Sequence, residues 1–294
     1  DPATPLAELV SLLVDREFKA LPVVDEARRV LGIVSDGDLL HRGDGPARVG
    51  VMERLDEASM TAQMAALRQS GKTAADVMTR DVIVAREEMS LAHATRLMVQ
   101  HNLKRLPVVD ANRCLSGMLS RLDVLRTVAP TGSSASSTKS AARGRTVGEV
   151  MDTNVPTVKA DADLAEIVDL LVGAELKRVA VLDDAGHVVG VITDGDLIAR
   201  VRPEARSGLL AALMGRGVAP DAGEAAGSLM SSNVLKGPPE TPIPDAIQQM
   251  LAGKRKRFYV VDAHGRLLGA VDRQTLLRSI AGVPVGLTRF GLER

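Results

Sequence analysis

Tryptophan is absent and aromatic residues make up only 1% of the 294-residue chain, so the stacking platforms that single-stranded nucleic acid needs are missing. An excess of one charge is missing too: 37 basic residues meet 37 acidic ones, and no global field draws the chain to nucleic acid or to an anionic membrane. Cys114 is the single cysteine, which excludes an intrachain disulfide and a cysteine-built zinc site and fits a free thiol in the reducing cytoplasm. No apolar run reaches the length of a membrane span, and Asp1 onward carries no signal-peptide pattern. Catalytic signatures are also lacking: there is no nucleophile elbow, no P-loop lysine motif and no G-x-G-x-x-G after a strand. His41, His93, His101, His187 and His264 show no metal spacing; His93 and His101 share a helix face without an acidic or cysteine partner. The expectation is a soluble, cytoplasmic protein with no metal and no direct membrane contact in this segment, and not an enzyme.

What the chain does have is repetition. The phrase GIVSDGD at 32–38 returns as GMLSRLD at 117–123, as GVITDGD at 190–196 and, more worn, as GAVDRQT at 269–275. Seven residues before each glycine stands an aspartate: Asp25, Asp110, Asp183 and Asp262. Six residues before each of those is a lysine: Lys19, Lys104, Lys177 and Lys256. Between lysine and aspartate lie ALPVV, RLPVV, RVAVL and RFYVV, so the chain is four copies of one unit.

Leu6, Leu9, Val10 and Leu13 fall at i, i+3, i+4 and i+7, as do Leu164, Ile167, Val168 and Leu171, and Ile243, Ala246, Ile247 and Met250; each set is one apolar helical face. A β-branched run follows, then a turn rich in Asp, Asn and Gly, then a second apolar run ending in the phrase, which reads as a hairpin. VIVA at 82–85 and PTVK at 156–159 add a candidate strand before the helix in units two and three. Each unit therefore reads β-α-β-β-α, a mixed α/β (α+β) fold, with the second helix opening inside the phrase. One unit is too small to close a core, so units are expected to pack in pairs. Met78, Met151 and Met230 recur at unit starts and are expected to fill core gaps.

Helical connectors at about 41–72 and 199–225 join units one to two and three to four, whereas APTGSSASSTKSAARGR at 129–145 has little to bury and reads as a flexible linker. The expected organisation is a first module over 1–128 (repeats about 1–42 and 73–128), the linker 129–145, a second module over 146–282 (repeats about 146–200 and 226–282) and a tail at 283–294. Unit one lacks the first strand, and the chain is expected to be a fragment of something longer.

The spacing [ST]-x-x-D is a helix capping box: the hydroxyl satisfies an amide of the first turn and the carboxylate reaches back to the cap residue's N–H. Stability alone could maintain it. The sharper reading notes that a helix N-terminus attracts anions, that a carboxylate on its first turn can accept bonds from a vicinal diol, and that a lysine at the neighbouring strand offers phosphate a counter-charge. Together these groups suit a ribose phosphate.

DVM at 76–78 or EVM at 149–151 opening a unit, KRLPVVD in its middle and G-x-x-[ST]-x-x-D closing it resemble the CBS (cystathionine-β-synthase) domain, four copies of which would make two Bateman modules. The resemblance covers nearly the whole chain outside the linkers. It implies adenosine derivatives bound in clefts between paired units, with the phrase's Asp at the ribose, its Ser or Thr beside ribose or phosphate, and backbone of the first strand at the adenine. Carried over by position, the diol acceptors are Asp38, Asp123 and Asp196, with hydroxyl partners Ser35, Ser120 and Thr193. Adenine-edge candidates are Ile83, Val84, Thr157 and Val158; phosphate candidates are Lys104, Arg105, Lys177 and Arg178, with Lys19 and Lys256 weaker. Unit four departs, with Asp272 in the hydroxyl position and Thr275 in the acid position, and its site is expected to be empty or to take something uncharged.

The expected function is that of a regulatory sensor whose ligand is an adenine nucleotide (AMP, ADP or ATP), with S-adenosylmethionine and cyclic dinucleotides left open. It would pass a change of module geometry to a partner or fused domain. The resemblance also implies self-association into a disc of four units, within one chain or between two. The alternative is a scaffold in which the capping boxes serve stability only.

Overall fold

A computed structural model describes residues 1–43, 49–129, 144–173, 178–215, 217–221 and 223–283. Most of the expected linker, nearly all of the expected tail, and Lys177 lie outside the described residues. Repeat one holds α1 (Leu6–Asp15), β1 (Ala20–Val24), β2 (Val30–Ser35) and α2 (Asp36–Arg42), and the connector after it holds α3 (Val49–Met52) and α4 (Glu57–Gln69). Repeat two follows with α5 (Ala74–Val77), β3 (Ala85–Arg86), α6 (Leu91–Gln100), β4 (Arg105–Val109), β5 (Leu115–Ser120) and α7 (Arg121–Val128). Repeat three has β6 (Thr157–Lys159), α8 (Leu164–Gly173), β7 (Val179–Leu182), β8 (Val188–Ile192) and α9 (Asp194–Arg200). A 3-10 turn at Pro203–Ala205 and α10 (Arg206–Leu213) lead to repeat four: α11 (Ala226–Leu229), β9 (Lys236–Gly237), α12 (Ile243–Ala252), β10 (Arg257–Val261), β11 (Leu267–Asp272) and α13 (Arg273–Ile280).

The apolar stripes become the buried faces of α1, α8 and α12, as their spacing requires. Sheet orders are β1-β2, β3-β4-β5, β6-β7-β8 and β9-β10-β11, with each short lead strand parallel to the strand beside it. In repeat two the strand is confined to Ala85–Arg86, one residue of which lies in the expected 82–85, because Val82 N–H turns back to Arg80 O. The recurring aspartate closes each hairpin. Asp25, Asp110, Asp183 and Asp262 each accept, at 2.8 Å, the backbone N–H four residues on, and the residue before that donor has positive φ (Arg28 62°, Arg113 65°, Gly186 83°, Gly265 83°).

Contacts gather the chain into two compact units, the first comprising Asp1–Met89, Leu106–Met118 and Asp194–Ala222, the second Ser90–Arg105, Leu119–Thr193 and Gly223–Arg294. In the first, α1 packs on α3 and α4 and α2 on α5 around Leu6, Val10, Leu13, Met52 and Val77, and α9 packs on α3 and α10. In the second, α7 packs on α6, α12 and α13, and Leu125 joins Ile243, Ile247, Phe258 and Leu276 in one core.

Partner repeats are stitched by reciprocal backbone bonds. Ile33 and Thr79 exchange bonds of 3.0 and 2.9 Å, Val191 and Ser231 of 3.0 and 2.9 Å, and Ala270 and Asp152 of 2.9 Å each way. Thus the start of one repeat lies against the second hairpin strand of its partner. The unit-start methionine then covers the partner's phrase glycine: a Cβ on Gly32, Gly190 or Gly269 would stand 2.4, 2.2 or 2.8 Å from the sulfur of Met78, Met230 or Met151. The hairpin ends meet as well, Arg29 bridging Cys114 and His187 bridging Arg266. Repeat one is paired with two, and three with four.

Candidate functional site

The last residue of the second hairpin strand, or the one after it, begins a helix in every repeat, because Ser, Thr or Asp there can cap the first turn. In repeat two, Asp123 Oδ2 accepts from Ser120 N at 2.9 Å and from Ser120 Oγ at 2.6 Å, while Asp123 N donates to Ser120 Oγ at 3.3 Å, completing a capping box. The other carboxylate oxygen is met by Arg126 Nη1 at 3.2 Å on the surface, and the Asp123 side chain is 42% exposed. Helix α7 is held in place by buried Arg121, whose Nε donates to Leu103 O at 2.8 Å and whose Nη2 donates to Asn102 O at 3.0 Å.

Arg105, half-buried at the head of β4, lies near enough to Asp123 for their charges to interact. Burial lowers its pKa, the Asp123 carboxylate opposes that, and Arg273 adds to the lowering. Lys104 is exposed beside it, and its carbonyl accepts from Arg121 N at 3.1 Å. Ile83 and Val84 are half-buried just ahead of β3.

In repeat three, Thr193 immediately precedes α9 and half-buried Asp196 stands on its first turn. Thr157 and Val158 form β6 and pair with Ala180 and Val181 of β7. Arg178, just ahead of β7, is brought to repeat four: burial lowers its pKa, Arg257 and Arg273 lower it further, and Tyr259 and Asp272 oppose them.

Repeat four carries an inverted cap. Asp272 Oδ1 accepts from Gln274 N at 2.8 Å, Thr275 N at 2.9 Å and Thr275 Oγ1 at 3.2 Å. Arg257 stands directly opposite Asp272 in the hairpin register, and Lys256 before it is exposed.

Repeat one has the box again, Asp38 Oδ2 accepting from Ser35 N at 2.8 Å and Ser35 Oγ at 2.6 Å. Its other oxygen accepts from Thr79 Oγ1 at 2.7 Å and lies 3.4 Å from Arg42 Nη1, leaving the side chain 11% exposed. Arg42 Nη1 also donates to Met78 O at 3.0 Å and to Thr79 Oγ1 at 3.3 Å. Lys19 is ion-paired with Glu53, the residue after α3. Sequence reasoning passed over Thr79, Arg42 and Glu53. The available signals were an arginine four residues past Asp38 and a hydroxyl directly after the DVM that opens repeat two.

Among the described residues, no three His, Cys, Asp or Glu side chains are grouped as a metal site, and no helix is long and apolar enough to cross a membrane.

The CBS domain family model matches residues 1–45, 74–130, 147–202 and 226–282. Among curated proteins, the CBS domain-containing proteins CBSX1 and CBSX2 of Arabidopsis thaliana, both chloroplastic, are 32% and 33% identical over 132 residues, 42% of this chain. Those matches span 56% of each relative's length. Among solved structures, protein MJ1225 from Methanocaldococcus jannaschii superposes with a TM-score of 0.63 at 17% identity, covering 94% of this chain and 93% of that one. An uncharacterized conserved protein from Pyrococcus horikoshii gives 0.61 at 19% identity, covering 89% and 91%. At these identities the two structures speak for the fold.

Proposed function

The chain belongs to the CBS domain family, and on that premise we propose that it is a regulatory protein that binds an adenosine-containing ligand, an adenine nucleotide such as AMP, ADP or ATP, at its repeated helix starts. The observation that carries the reading is Asp123. One oxygen holds the cap, and the other faces outward with a surface arginine as its neighbour, so a ribose diol can replace that neighbour without dismantling the helix start. Arg105 and Lys104 supply the cations for phosphate, with Ser120 beside them and the backbone at Ile83 and Val84 for the adenine edge. In repeat three the corresponding set is Thr193, Asp196, Thr157, Val158, Arg178 and Lys177. Chemistry is no part of this role; the protein acts by binding.

A ligand that contacts both members of a repeat pair favours the geometry in which it binds more tightly, and the shift passes to a partner or fused domain. Self-association into a disc, by one chain or by two, belongs to the same proposal. A scaffold reading draws on Asp38, where both carboxylate oxygens already serve the protein itself.

A thermal-shift series with adenine and guanine nucleotides, cyclic dinucleotides and S-adenosylmethionine tests the reading, run beside an Asp123→Ala, Asp196→Ala variant. A ligand at one hundred times its Kd stabilises the fold by about 2.7 kcal/mol. An adenine ligand that shifts the parent but not the variant supports the sensor. A parent that no ligand shifts, with a variant that melts earlier on its own, gives the role to the scaffold.

A further inference from the structure

Repeat one meets two side chains that resemble, group for group, the ligand the other repeats are proposed to bind. Thr79 Oγ1 donates to Asp38 Oδ1 at 2.7 Å, as a ribose hydroxyl would to a diol acceptor. Glu53 sets a carboxylate against Lys19, as a phosphate would stand against the lysine that heads the hairpin. The two come from different segments. Glu53 follows α3 in the connector, and Thr79 lies at the start of repeat two.

Thr79 is held in place, while Glu53 meets Lys19 at the surface. Thr79 is fixed by its two backbone bonds to Ile33 and by Arg42, which spans Met78 O, Thr79 Oγ1 and the Asp38 carboxylate. Arg42 is in turn steadied through its carbonyl by Lys72 Nζ at 2.8 Å. The contrast with repeat two is one of access: Asp38 is 11% exposed and Asp123 is 42% exposed.

We propose that repeat one is a nucleotide site kept shut by its own chain, with Thr79 in the place of a ribose hydroxyl and Glu53 in the place of a phosphate. The proposal rests on the nucleotide reading given above. A nucleotide entering repeat one must displace both groups, and since each is tethered beside its partner at high effective concentration, a free ligand competes poorly. Thr79 and Glu53 thereby decide how many repeats respond to ligand. Because α3 also packs on α9, the helix that carries Asp196, release of the connector at Glu53 would be felt at the helix that closes repeat three.

The experiment is calorimetric titration of the full chain with AMP, ADP and ATP in turn, reading the number bound per chain. The parent is compared with Thr79→Val plus Glu53→Gln, and with Thr79→Ser, which keeps the hydroxyl. Thr79→Val also leaves the backbone stitch to Ile33 intact, and circular dichroism checks that each variant folds. The expected result is one more nucleotide per chain in the double variant and no change in Thr79→Ser. A double variant that binds the same non-zero number as the parent overturns the closed site and leaves the nucleotide reading standing. A parent that binds none while the double variant binds one supports the closed site and removes open binding at repeats two and three. No binding to any folded form overturns both.

Discussion

The sulfur of Met230 lies over Gly190 so closely that a side-chain carbon on the glycine would stand 2.2 Å from it and 2.8 Å from the methionine's own Cβ. The whole methionine is in the way, its fixed end as well as its flexible one. Gly190→Ala must therefore push repeat four's first residues away from repeat three, an overpacking cost of about 1 to 3 kcal/mol. Gly117 has nothing within 4 Å of that direction, and Gly117→Ala is expected to change stability by less than about 0.5 kcal/mol. Urea unfolding of the two variants makes the comparison, and equal midpoints would show that the methionine contact does not hold the pair together.

Arg121 is a buried cation that donates to the carbonyls of Leu103 and Asn102 and to Asn102 Oδ1. Arg121→Met keeps much of the length but leaves those acceptors without their charged partner, a loss of roughly 2 to 3 kcal/mol. Denaturant midpoints measure it, and a loss below about 0.5 kcal/mol would mean that water satisfies the carbonyls equally well.

Asp272 caps α13 by accepting from Gln274 N and Thr275 N. Asp272→Ala is expected to cost about 1 to 2 kcal/mol, whereas Asp272→Ser, which restores a hydroxyl cap, should cost much less. Thermal melts in which the two variants fall equally would argue that the carboxylate's charge, facing Arg257, matters more than its capping bonds.

Burial raises the Asp152 carboxyl above its ordinary pKa; the Asn154 N–H and Arg257 pull the other way, and Asp272 adds to the rise. The folded state then binds the proton more tightly than the unfolded one. That contribution is complete below the unfolded value, about 3.9, and is lost as pH rises through the folded value. Asp152→Asn keeps the Oδ1 acceptor for Asn154 N. It should melt above the parent at pH 7, with the advantage shrinking as pH falls toward about 4. An advantage independent of pH would assign the effect to packing.

Periodicity was enough to read the repeated unit. The stripes of α1, α8 and α12 and the helix starts inside the phrase depend on local spacing, and the described residues carry them as expected. The methionines expected in core gaps do pack, but against specific glycines of the partner repeat, a pairing that appears only once the Ile33–Thr79 and Val191–Ser231 stitches bring distant segments together. The same limit applied at the site. Asp38 and Asp123 have the same phrase and the same box, and their difference comes from Thr79, 41 residues away from Asp38. The two-residue strand Lys236–Gly237 was too short to signal, and the expected strand at 82–85 met Ala85–Arg86 only at its last residue, since both strands exist by pairing with β10 and β4. The hairpin aspartates were visible as a repeat, but their work as turn clasps needed the hydrogen bonds.

Helix α7 stands just before the small-residue tract at 130–143, yet its Leu125 is buried with Ile243, Ile247, Phe258 and Leu276 from the far end of the chain. A peptide bond broken within that tract therefore does not by itself make two free proteins. The pieces remain a non-covalent complex, because parting them strips water-shielded leucine and isoleucine from one another. Continuity of the chain and continuity of the core are separate properties here, and the core is the one that a protease acting on the tract leaves untouched.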